Sequence, residues 1–230
     1  MERLRLSSVE PMDFTDRLLD LMASTPRIAR HVHAPLQSGS DRILRRMHRK
    51  YRAAQYRERM LAAYERMPDA AFGADVMVGF PGETNEDFEA TRRLIEELPF
   101  TYLHVFPFSR RPGTPADRMK AQVNGVLLRE RSRILRELAA EKNLRFRERH
   151  LGRTLRVLTL SETASDGTLA LSDNYIKVII SGAPLPVNQW IRTRILSVAD
   201  GCLTGAGVSL EAELHRLEAD SPSMMTCASA

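Results

Sequence analysis

The residues with chemistry to offer sit in four short polar runs, each directly after an apolar stretch. They are Ser7-Ser8-Val9-Glu10-Pro11, Gln37-Ser38-Gly39-Ser40-Asp41, Gly79-Phe80-Pro81-Gly82-Glu83-Thr84, and Ser109-Arg110-Arg111-Pro112-Gly113-Thr114-Pro115. Their hydroxyls, amides and guanidinium groups can hydrogen-bond a ribose, a carboxylate or the edge of an adenine. Glycine lets a backbone approach a ligand closely, and Pro81 between Gly79 and Gly82 predicts a rigid turn. One such run is ordinary turn chemistry. Four in series predict a shared rim, because parallel βα folds gather their chemistry at the carboxyl ends of strands. Local alternatives stand beside each reading. Ser38 belongs to a cluster in which Ser40 or Asp41 can cap a helix, and Glu83 suits a first helical turn. Arg110 and Arg111 are either solvated loop charge or a fork for phosphate or carboxylate. His31 and His33 alternate along one strand and share a face. Neither has a partner at metal-ligand spacing, so they predict a polar lining or hydrogen-bonded core and no metal site.

The elements that must position these runs follow from periodicity. Strands are predicted over residues 4–9, 31–36, 72–80 and 102–108, the third nearly continuously apolar as buried parallel strands are. Helices are predicted over 13–22, over 41–67 with a break near Lys50-Tyr51, and over 85–98 with Asn85 as N-cap. Strand and helix alternating in this way predicts an α/β fold built of parallel βα units. A long basic helix over 124–149 follows, with Leu127, Leu128, Ile134, Leu135 and Leu138 on one stripe. After Gly152 the pattern changes to short strands over 154–160, 168–171, 175–180, 190–198 and 203–210, with Asp166-Gly167 as a hairpin signal. Five short strands in so small a space predict a closed, OB-like barrel. The expected domains are residues 1–150, 151–217, and a disordered tail over 218–230.

Charge narrows the partner. The 230 residues carry 34 Lys/Arg against 29 Asp/Glu. The excess is concentrated: nine Lys/Arg against three acids between Asp41 and Arg66, and eight against four between Asn124 and His150. Two basic stretches are a phosphate footprint or two solvated helix faces. In the barrel region Asn174, Tyr175, Lys177, Trp190, Arg192 and Arg194 combine groups that stack bases with groups that hold a backbone. Trp190, Arg192 and Arg194 share one strand face, with Thr193 on the other. The two cysteines, Cys202 and Cys227, match no disulfide framework and no metal spacing, which fits a reducing, cytoplasmic setting. No apolar run reaches the ~18 residues of a membrane span.

The phrases PLQSGSD (residues 35–41), DVMVGFPGET (75–84) and HVFPFSRRPGTPA (104–116) resemble the methylthiotransferase family of radical S-adenosylmethionine enzymes. The wording of residues 3–11, 104–109 and 173–178 most resembles the branch acting on threonylcarbamoyladenosine in tRNA. The resemblance implies a TIM-like radical barrel followed by a TRAM domain. It implies S-adenosylmethionine and 4Fe-4S clusters as cofactors and tRNA as partner. By the same resemblance Ser7, Ser8, Gln37, Ser38, Gly79, Phe80 and Pro81 are expected to contact the cofactor. Arg110, Arg111, Asn174, Tyr175, Lys177, Arg192 and Arg194 are expected to contact the substrate RNA. The family holds its catalytic cluster with a C-x-x-x-C-x-x-C triplet, and thiolates are what such clusters need. No such triplet occurs here, and residues 1–8 read as a strand already under way. The expectation is therefore a fragment of the parent, lacking the N-terminal portion and inactive alone. Two alternatives are a ribosomal-protein methylthiotransferase and a non-catalytic RNA-binding remnant.

Overall fold

The computed structural model describes residues 2–207 apart from 165, 166 and 200. The chain divides into two compact units, Met1–Arg149 and His150–Ala230.

The first unit is built on a parallel sheet of β1 (His31–His33), β2 (Ala71–Val78) and β3 (Tyr102–Pro107), in that order. His33 lies opposite Gly73, and Asp75 opposite His104. Alternation gives the sheet two different faces. Val32, Phe72, Ala74, Val76 and Val78 form one face and are buried. They pack with Leu19 and Met22 of α1 (Asp16–Ser24), Leu44 of α2 (Asp41–Arg46), Tyr56 and Met60 of α3 (Ala53–Arg66), Leu94 and Ile95 of α4 (Asn85–Glu97), and Leu135 of α5 (Gly125–Glu148). Each such side chain contributes roughly 1.5–3 kcal/mol of burial, so this layer holds the unit together. The opposite face carries His31, His33, Gly73, Asp75, Met77, Tyr102, His104 and Phe106.

Three expectations change. The strand over 4–9 does not form. Leu4 makes one parallel bridge to Ile28, and the Val9 N–H donates to the His33 carbonyl at 3.1 Å. Its partner β1 is itself only three residues long, because Pro35 has no N–H to continue a ladder. Thr84, not Asn85, caps α4. Its hydroxyl accepts from the Asp87 N–H while the Asp87 carboxylate accepts from the Thr84 N–H. The Asn85 amide oxygen is engaged by Arg131 at 2.7 Å instead. The break in the helical stretch 41–67 is wider than predicted. His48 takes φ 57°, and α3 starts at Ala53, whose N–H is capped by the Asp41 carboxylate at 2.8 Å.

The second unit is a closed five-stranded barrel of β4 (Thr154–Ala164), β5 (Gly167–Ser172), β6 (Lys177–Ser181), β7 (Trp190–Ala199) and β8 (Cys202–Gly207). The order is β4-β5-β6-β8-β7, with β6 and β8 parallel and the other pairs antiparallel. Val157, Ala170, Val178, Ile180, Ile195 and Leu203 fill its interior. Asp166 of the hairpin signal, the end of the fifth predicted strand, Cys227 and the tail lie outside the described residues. Among the described residues no helix is long and apolar enough to cross a membrane.

Candidate functional site

Because the three strands run parallel, the loops leaving them emerge along one edge. Three of the four polar runs meet there around a cleft of about 260 Å³. Gln37 enters from the loop after β1, Met77 and Phe80 from the end of β2, and Thr114, Pro115, Ala116 and Met119 from the chain after β3. Arg46, Met47, His48 and Arg49 form the remaining wall. The first run reaches this wall through Glu10, whose carboxylate pairs with Arg49 at 3.0 Å. Gln37 is held at φ 61° by its own backbone, its N–H donating to the Asp75 carbonyl at 2.8 Å and its carbonyl accepting from the Met77 N–H at 2.9 Å. Phe80 is buried, edge-on to Phe108 at 5.6 Å between ring centres.

The turn after β2 is fixed from within. Gly79 sits at φ +76°, and a side chain there would meet Leu128 at 2.5 Å. Its N–H donates to both Glu83 oxygens at 3.1 Å, so this amide serves the fold rather than facing a ligand. The Pro81 carbonyl accepts from Arg46 Nε at 3.2 Å. Glu83 is buried against Arg131, with Nη1 and Oε1 2.5 Å apart. Burial pushes the Glu83 carboxyl up, and the Arg131 charge and the Gly79 N–H oppose that push.

Other expected contacts lie elsewhere. Ser7 and Ser8 are exposed and do not line the cleft. Ser38 is buried beneath it, 3.2 Å from the Thr91 hydroxyl and accepting from the Ser40 N–H. Arg110 is drawn to Asp117, donating to its carboxylate at 2.9 Å and its carbonyl at 3.1 Å. Arg111 is exposed on the same loop.

Much of the predicted basic footprint is structural. On α5, Arg131 is buried, Arg133 pairs with Glu130 and Glu137, and Arg145 pairs with Glu141. In the earlier stretch Arg42 pairs with Asp87. Arg45, Arg49, Lys50 and Arg52, with Asp41, Tyr51 and Gln55, line a second hollow of about 450 Å³. Arg49 is paired with Glu10, and the remaining cations, Arg45, Lys50 and Arg52, still outnumber the lining acid Asp41, which suits a phosphate there.

On the polar sheet face, His33 Nε2 lies 3.4 Å from Asp75 Oδ1, and His104 Nδ1 lies 3.1 Å from the same oxygen. Tyr102 Oη lies 2.9 Å from His33 Nδ1 and 2.7 Å from His31 Nε2. Burial, and then the charges of Arg5 and His33, lower the His31 pKa to about 4, so His31 is neutral at pH 7. Of the two histidines expected to lack partners at metal spacing, His33 has such partners in space. One ligand atom from each of His33, Asp75 and His104 lies within 4.8 Å of the others. Linear spacing hid the group because its members come from three different strands.

In the barrel the expected RNA contacts fall into two groups. Arg192 and Arg194 stand on the outer face of β7 while Thr193 points inward and is buried. Arg156 on β4 pairs in register with Arg192, and its guanidinium lies 4.5 Å from the Trp190 ring centre. Sequence reading missed Arg156, although its alternation with buried Val157 marks it as outward. Tyr175 and Lys177 lie at the start of β6, which does not neighbour β7 in the barrel. Asn174 is buried, its amide 3.0 Å from His150 Nε2 and 2.7 Å from Ser172 Oγ. The Asn174 side chain thus serves the turn between β5 and β6, where it meets His150 and Ser172.

Residues 2–95 match the model of the radical SAM superfamily. The chain is 46% identical over 162 residues to the tRNA-2-methylthio-N(6)-dimethylallyladenosine synthase of Thermobifida fusca, covering 69% of this chain and 32% of that protein. It is 34% identical over 200 residues to the threonylcarbamoyladenosine tRNA methylthiotransferase MtaB of Bacillus subtilis, covering 85% and 44%. The MtaB of Rickettsia prowazekii is 38% identical over 201 residues, covering 87% and 46%. The chain belongs to the radical S-adenosylmethionine methylthiotransferase family. It spans a third to a half of the length of these relatives. The family's 4Fe-4S cluster does not fit the thiols of this methylthiotransferase chain. Three thiolates are needed, and its two cysteines are Cys202 on β8 and Cys227.

Proposed function

We propose that this chain supplies the cofactor-facing and RNA-facing parts of a cytoplasmic tRNA methylthiotransferase acting at C2 of N6-threonylcarbamoyladenosine in the anticodon loop. The observation that carries the reading is the convergence of Gln37, Phe80 and Thr114 from three successive loops into one cleft. The cleft is chemically suited to S-adenosylmethionine. Met77 and Phe80 offer an apolar surface to adenine, and the Gln37 amide can pair with a purine edge. Arg46 and Arg49 give the rim a positive charge that favours a carboxylate. Arg49 shares its charge with Glu10 at the edge of this wall, 3.0 Å away. When bound, S-adenosylmethionine supplies the radical and methyl chemistry of the family, while the protein orients it and keeps water away.

The three-stranded sheet is read as part of a TIM-like barrel and the closed barrel as a TRAM-like domain. The strand order of the latter, with its third and fifth strands parallel, supports an OB-like reading. Trp190 with Arg156, Arg192 and Arg194 would meet RNA on one face, and the Arg45–Arg52 hollow would meet a second phosphate. The cluster ligands are proposed to lie outside these 230 residues.

Equilibrium dialysis with labelled S-adenosylmethionine tests the cleft. The wild-type chain should bind saturably, and Phe80→Ala should weaken binding about ten-fold, the loss of roughly 1.4 kcal/mol of ring contact. Equal binding by both proteins would remove the cleft from the reading.

A further inference from the structure

We propose that His33, Asp75 and His104 form a site for one divalent transition metal on the polar face of the sheet, with Tyr102 as a positioning residue. Each ligand comes from a different strand: the parallel register sets Asp75 beside His104, and His33 lies opposite Gly73, one side-chain step along β2 from Asp75. The two separations to Asp75 Oδ1 are 3.4 Å from His33 Nε2 and 3.1 Å from His104 Nδ1. Metal–ligand bonds of about 2.0–2.1 Å put neighbouring ligand atoms roughly 2.8–3.0 Å apart in octahedral and roughly 3.3–3.4 Å apart in tetrahedral geometry. The two separations to Asp75 fall within that overall range, and all three ligand atoms lie within 4.8 Å of one another. Two imidazoles and one carboxylate are a donor set for Zn²⁺, Co²⁺, Ni²⁺ or Fe²⁺, not for the oxygen-seeking Mg²⁺ or Ca²⁺.

A second observation concerns the support of the first ligand. A metal-bound histidine normally gives its other ring nitrogen to a hydrogen-bond partner that fixes its tautomer. His33 has that partner: Nδ1 lies 2.9 Å from the Tyr102 hydroxyl. With His33 Nδ1–H donating to Tyr102, and the Tyr102 hydroxyl donating to His31 Nε2 at 2.7 Å, the lone pair of His33 Nε2 faces Asp75. Tyr102 can lie where it does only because β2 has glycine opposite it. A Cβ added at Gly73 would come within 2.0 Å of the Tyr102 ring. The tyrosine placement is thus built into the strand sequence.

The site lies one side-chain step down the sheet from Met77, which lines the cleft. His104 is exposed, so ligand positions not filled by protein open toward solvent. Three protein ligands with open positions are the arrangement of a metal that binds a further oxygen or nitrogen donor. The rival arrangement places a proton, not a metal, between each imidazole and Asp75.

Titration of the metal-free full chain with Co²⁺, followed by d–d absorption, separates the two. One equivalent should bind saturably. His104→Gln, an exposed substitution that leaves the core intact, should weaken binding at least 100-fold. Tyr102→Phe should keep the stoichiometry but bind about ten-fold more weakly, the size of effect that outer-shell partners have. Circular dichroism checks that each variant is folded. No saturable binding, or equal binding by His104→Gln, would overturn the site. An unchanged affinity in Tyr102→Phe would overturn the positioning role.

Discussion

Asp87 accepts hydrogen bonds from Arg42, from Ser40 Oγ at 2.6 Å, and from the N–H and hydroxyl of Thr84 at 2.8 and 2.9 Å. Burial works against its charge, but these donors hold the carboxyl well below the usual carboxylate range. A folded-state pKa below the unfolded one contributes stability that is fully present above about pH 4 and is lost as pH falls further. Asp87→Asn should therefore cost about 2 kcal/mol in urea unfolding at pH 7, and its stability should change less than the wild type's between pH 4 and 2. At this scale the sequence was partly legible. Gln37 and Phe80 were found because each follows an apolar strand directly, and position after a strand places a residue on the rim. Ser38, Gly79 and Asn174 were marked for their chemistry, but their polar groups are engaged by Thr91, Glu83 and His150. Those partners come from other elements, and no local pattern announces them.

Elements were more legible where they bury a stripe. The long helix over 124–149 and three of the later strands appear close to their predicted bounds, because amphipathic period and alternation are set by which side chains must leave water. β4 runs four residues past its predicted end, to Ala164. The segment 4–9 has the same alternation but meets a partner strand cut short by Pro35, so it remains nearly unpaired. The turn after β2 makes a prediction of its own. Gly79→Ala must adopt φ +76° and displace Leu128. It should lower stability by about 1–3 kcal/mol in chemical denaturation and loosen the Phe80 side of the cleft. On the barrel, the outer strand face of β7 predicts a salt-dependent RNA contact. Arg192→Ala and Arg194→Ala should each weaken tRNA binding and lower the slope of log affinity against log salt by about 1, read by fluorescence anisotropy over a salt series. Lys177→Ala, on β6, should leave that slope closer to the wild type's.

Over the whole molecule, the two basic stretches illustrate what composition can and cannot say. Both were visible as charge excess, yet pairing with Asp87, Glu83, Glu130, Glu137 and Glu141 leaves a smaller footprint than the count implied. What composition cannot carry is direction. The parallel sheet puts the strand ends on one edge, and that brings three of the four polar runs to one cleft. The chain's membership in the methylthiotransferase family motivates the chemistry proposed for this site, and the threonylcarbamoyl substrate is the part of the proposal most open to direct measurement. Mass spectrometry of nucleosides from total tRNA, in cells lacking the complete gene and in cells with it restored, reads that substrate. Loss of 2-methylthio-N6-threonylcarbamoyladenosine on deletion, with recovery on restoration and with 2-methylthio dimethylallyladenosine unchanged, is the predicted result. Unchanged threonylcarbamoyl nucleosides would contradict the account.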